Sequence, residues 1–72
     1  MLVRACKVRP NDGLRVANTV FMVSETREDF VGDYATTTIF ARPLGRGRME
    51  DRTFFVSPDA LVEVIRDRKV PQ

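Results

Sequence analysis

Apolar residues fall in short runs along the chain, and most of these runs are rich in β-branched and aromatic side chains. Val3, Ala5, Cys6 and Val8, with Arg4 and Lys7 between them, predict a first strand over 3–9. Pro10–Asn11–Asp12–Gly13 ends it as a turn. Proline presets φ, Asn and Asp bond locally, and Gly13 is expected to take the left-handed position. Val16, Thr19, Val20, Phe21, Met22 and Val23 predict a second strand over 14–23, with Ala17–Asn18 as a bulge. Ser24 to Asp33 is polar and acidic, and it predicts a long loop with Phe30 turned inward. Thr36–Thr37–Thr38–Ile39–Phe40 is poor helix material and predicts a strand over 35–42. Thr53–Phe54–Phe55–Val56 predicts its hairpin partner over 53–56. The tip between them, Pro43–Leu44–Gly45–Arg46–Gly47–Arg48, holds a proline and glycines that cannot continue a central strand.

The last segment has two readings. Ser57–Pro58–Asp59 is a helix start, with an N-cap, a proline in the first turn and an acid beside it. Leu61, Val64 and Ile65 also satisfy helical spacing, yet Leu61–Val62–Glu63–Val64–Ile65 is mostly β-branched and suits a short final strand. Periodicity does not decide a segment this short. The prediction is therefore a mainly β domain spanning 1–72, an antiparallel barrel of about five strands. A short 3₁₀ or α-helical segment starts near Ser57. The alternative is an α+β antiparallel sheet with a C-terminal helix.

The stretch Ser57-Pro58-Asp59-Ala60-Leu61-Val62-Glu63-Val64-Ile65 resembles the end of SH3-like barrels, where a proline-led 3₁₀ turn joins the fourth strand to a short fifth. The chain has no Trp and no acidic-aromatic motif in its first loop, so the resemblance is to the barrel and not to proline-rich peptide binding. Such barrels serve many functions, among them nucleic-acid and ribosome binding, and the fold alone assigns none.

Size and composition narrow the chemistry. A core of 72 residues supplies only about 3–5 kcal/mol, which favours self-association as a source of further stability. Cys6 is the only cysteine and histidine is absent. An ordinary four-ligand zinc site and histidine general-base chemistry are thus both missing within one subunit. The expectation is a non-catalytic protein with no cofactor, no metal and no membrane span, located in the cytoplasm. Cys6 reads as a small apolar core residue, and four or five of the six aromatics as core. Phe54 and Phe55 are neighbours and would point to opposite faces, one of them exposed.

Charge is segregated rather than strongly basic. Residues 1–23 carry a net +3, residues 24–34 a net −3, residues 35–52 a net +2, and residues 53–72 none. Arg42, Arg46, Arg48 and Arg52 gather at the predicted hairpin tip, where Arg–Gly chain can meet phosphates from several directions. Glu50 and Asp51 would partly cancel that field. The leading expectation is nucleic-acid-associated binding through these arginines. The alternative is a protein-interaction module, such as a small regulator or inhibitor of a larger machine, possibly encoded by a mobile element. Its contact residues would be Glu25, Glu28, Asp29 and Asp33, facing a basic partner or a second copy's arginine-rich surface. A third option is an oligomeric enzyme whose site forms between subunits.

Overall fold

In a computed structural model of the chain, residues 1–44 and 50–66 are described. They form β1 (Leu2–Arg4), a 3₁₀ turn (Ala5–Lys7), β2 (Gly13–Val16), β3 (Thr19–Val31), β4 (Tyr34–Pro43), β5 (Arg52–Val56) and β6 (Leu61–Ile65). All six strands belong to one antiparallel sheet in the order β1-β6-β2-β3-β4-β5. Among the described residues there is no α-helix, and no helix is long and apolar enough to cross a membrane.

Among the described residues the sheet has no second layer to pack on. It buries its apolar face by curving over it, so one face supplies the core, with Val8 added from the segment before β2. Val8, Leu14, Phe21, Val23, Ile39, Ala41 and Val64 are buried there, with Val3, Val16, Phe54, Val56 and Val62 packed around them. Phe21 meets Phe54 edge-to-face at 5.3 Å between ring centroids. The sheet remains open, with β1 and β5 as its edges.

The C-terminal segment is a turn followed by a strand. The Ala60 N–H donates to the Ser57 carbonyl at 3.0 Å, which makes one turn and no helix. β6 then inserts between β1 and β2, where the β-branched Val62 and Val64 are worth more in a ladder than in a helix. Val64 is fully buried, and its N–H donates to the Met1 carbonyl at 2.8 Å. The predicted segment at Ser57 is thus a single i→i+3 turn ahead of the final strand, and the helical reading and the α+β alternative are corrected. A 3₁₀ helix lies at Ala5–Lys7, inside the predicted first strand. There Ala5 is buried, and its N–H and that of Cys6 donate to the carbonyls of Ala60 and Pro58. Cys6 itself is exposed rather than core.

Two turns differ from expectation. Asn11, at φ 76°, takes the left-handed position assigned to Gly13. Gly13 opens β2 in close quarters, where a Cβ would lie 3.4 Å from the Ile65 Cβ and the Val20 Cγ1. Ala17 and Asn18 both have positive φ, 51° and 34°. They are the two central residues of a hairpin turn that closes Val16 on Thr19, so the predicted second strand is two strands.

The largest departure is at 24–33, expected as a loop. These residues continue β3 to Val31, paired with β4 down to Tyr34. A bulge explains why the alternation was hard to read. Val23 pairs with Ala41 and Glu25 with Phe40, leaving Ser24 as the extra residue, its hydroxyl donating to the Phe40 carbonyl at 3.0 Å. One extra residue reverses the side-chain phase. Odd positions Phe21 and Val23 face the core before the bulge, and even positions Thr26, Glu28 and Phe30 share that face after it.

Candidate interaction surface

The β3–β4 hairpin is longer than the sheet that carries it. On one side, β2 pairs with β3 only between Thr19 and Met22. On the other, β5 pairs with β4 no further than Thr37↔Val56. Beyond the row Glu28–Thr37–Val56, residues 29–36 pair only with each other among the described residues. At about 3.3 Å per residue the ribbon protrudes roughly 10 Å past that row. Gly32–Asp33 closes it as a two-residue turn, with Gly32 at φ 64°, where mirror-type hairpin turns place glycine.

A two-stranded ribbon in water has little reason to display apolar groups, yet this tip does. Phe30 is 74% exposed, Val31 65% and Tyr34 78%. Phe30 was expected to turn inward; its face is the core face, but the ribbon has already left the core when it reaches that position. Val31 and Tyr34 pair across the strands on the opposite face. The tip therefore carries an aromatic ring on each side. Of the six aromatics only Phe21 is buried, Phe40 and Phe54 are half-buried, and Phe30, Tyr34 and Phe55 are exposed. Phe54 and Phe55 divide between the faces, as neighbouring strand positions must.

The acidic residues do not converge. Glu25 lies on the outer face, 3.9 Å from Arg27, whose guanidinium sits 5.2 Å above the Phe40 ring. Glu28 lies on the core side and accepts the hydroxyl of the fully buried Thr37 at 3.2 Å, giving that hydroxyl a partner. Asp29 pairs with Thr36 on the outer face, and Asp33 occupies the turn. Among the described residues no three of these groups come together as a metal site. What they share is position, since Glu28, Asp29 and Asp33 surround the exposed aromatic tip with negative charge.

The basic set is divided by the sheet. Arg42 pairs with Met22 on the outer face, while Arg52 pairs with Ala41 and takes the core-side face at the exposed end of β5. These two arginines point away from each other. Arg46 and Arg48 lie outside the described residues.

One constellation escaped the sequence reading. Asp12 is 5% exposed, and its carboxylate accepts Nε of Arg66 at 2.8 Å, NH2 of Arg66 at 2.9 Å and the Arg9 N–H at 2.9 Å. Arg66 also donates to the Lys7 carbonyl at 3.1 Å. Burial pushes the Asp12 carboxyl up, but the Arg66 and Arg9 hydrogen bonds and charges outweigh it and hold the group below its ordinary 3.8. The partners stand 54 positions apart. The only local signal was an Asp in a Pro-Asn-Asp-Gly turn, and that accounts for the Arg9 bond alone.

No protein family, curated protein or solved structure matches the chain.

Proposed function

We propose that the chain is a small cytoplasmic binding module, an SH3-like sheet opened along the seam between its edge strands β1 and β5, which engages a protein partner through the tip of its β3–β4 hairpin. The observation that carries this reading is the exposure of Phe30, Val31 and Tyr34 on a ribbon that the fold itself does not need. Exposed aromatic anchors are the residues that dominate binding energy once a partner desolvates them. The carboxylates of Glu28, Asp29 and Asp33 around them favour a basic partner surface and repel phosphate. A role as a regulator or inhibitor of a larger assembly suits a chain that offers such a projection. The nucleic-acid reading has less support, because Arg42 and Arg52 lie on opposite faces and the β3–β4 projection is acidic.

The test is site-specific photo-crosslinking in cells from position 34, with position 59 in the exposed Ser57–Ala60 turn as control. The expected result is a discrete protein adduct from position 34 and none from position 59. Nucleic-acid adducts, or equal labelling from both positions, would overturn the reading.

A further inference from the structure

At the opposite end of the same hairpin, the outer face carries a notch. The cross-strand row Ile65–Gly13–Met22–Arg42 runs across β6, β2, β3 and β4. Val20 belongs to the next row, and Leu44 joins it there through its N–H bond to the Val20 carbonyl at 3.0 Å. Gly13 has no side chain and is covered by Ile65 and Val20, which close over it, and a shallow opening lies beside it among Val20, Met22, Leu44 and Ile65. The cavity measures about 430 Å³. Its floor is apolar, with Ile65 and Leu44 more than 40% exposed. Its rim is basic: Arg42 stands on one side, Arg66 on the other, and Arg9 lies just beyond Asn11. Asp12 neutralises Arg66, while Arg42 and Arg9 make no ion pair among the described residues.

Notch and tip are complementary in charge and in character. The tip presents three large apolar side chains among three carboxylates, and the notch presents an apolar floor between arginines. They cannot meet within one copy. Met22 and Val31 are nine positions apart on one continuous strand, a separation of roughly 30 Å at the usual rise. We infer that the hairpin tip of one copy docks in the Gly13 notch of a second copy, with Asp29 and Asp33 facing Arg42 and Arg9. The inference rests on the reading of the tip as a binding surface and names its partner. The contact uses two different patches, so it is heterologous, and it builds either a closed ring or an open chain of copies. Self-association also meets the stability shortfall expected of a chain this short.

Sedimentation across a range from about 10 µM to about 1 mM tests it, since a single small contact of this kind falls in the weak class of interfaces. The wild-type mass should rise with concentration, and the rise should weaken as salt screens the charges. The tip double variant Phe30→Ser/Tyr34→Ser and the notch double variant Arg42→Glu/Leu44→Glu should each stay monomeric, because both change exposed positions. Mixed together they should form a one-to-one dimer, since each retains the surface the other has lost. A wild-type monomer at the highest concentration would overturn the inference. So would association that survives either lesion, or a mixture that stays monomeric. A crosslink from position 34 to a different protein, alongside a monomeric wild type, would refute self-docking while leaving the tip's binding role standing.

Discussion

Phe21→Ala should leave the domain largely unfolded at 37 °C. Phe21 sits on β3 at the centre of the curved sheet, 3% exposed, with Leu14 opposite on β2 and the Phe54 ring edge-on. Truncating a buried Phe costs about 3–5 kcal/mol, through lost transfer energy and the cavity left behind. A core of this size supplies about the same amount in total. Among the described residues the curved sheet also has no second layer that could collapse into the gap. Thermal melts followed by circular dichroism should show the native transition absent or displaced by more than about 12 °C, since 1 kcal/mol shifts a small domain by roughly 4–8 °C. Phe55→Ala is the control, because Phe55 is 70% exposed and should change little. A Phe21→Ala melt within a few degrees of wild type would mean that the sheet does not bury its face as described.

The second large effect belongs to Asp12. Its carboxylate holds three segments at once: the Arg9 backbone, the end of β6 through Arg66, and, through the same guanidinium, the Lys7 carbonyl. Asp12→Ala removes both bonds to Arg66 and orphans the Arg9 N–H, a loss of about 2–3 kcal/mol for hydrogen bonds to a buried charged group. The same group sets part of the acid limb. Its carboxyl is depressed in the folded state, so its contribution is fully present above the unfolded value of 3.8 and is lost as pH falls through the folded one. Wild type should therefore lose stability below about pH 4 more steeply than Asp12→Ala. Denaturant titrations at pH 7 and pH 3 measure both effects. Equal pH dependence in the two proteins would show that the carboxylate is not held as the geometry places it.

These two sites differ in how far the sequence revealed them. The strand character of Thr36–Phe40 and of Thr53–Val56 was plain, because threonine and β-branched runs leave a helix little to offer. The open sheet adds one strand to the five expected, and it does so at Ala17–Asn18. A turn with both residues at positive φ is usually signalled by Asn-Gly, and here an alanine occupies the first position. The projecting hairpin was hidden by Ser24, since a bulge breaks the alternation on which a strand is recognised. A ribbon wet on both faces also has no apolar stripe to reveal it. The acidic residues of the candidate surface were legible as a charge block, but their aromatic companions were not, because an isolated Phe in a polar stretch normally implies burial. The Asp12–Arg66 pair joins distant segments and leaves no local pattern.

If the tip aromatics serve binding rather than folding, removing them leaves the fold nearly as stable as before. The direct measurement is the thermal midpoint of Phe30→Ser/Tyr34→Ser against wild type, taken at low micromolar concentration so that association does not contribute. Cross-strand side-chain pairs on such a ribbon are worth about 0.2–1 kcal/mol, so the midpoint should fall by no more than a few degrees. A drop comparable to that of Phe21→Ala would show that Phe30 or Tyr34 is packed into the fold, against the proposed binding role.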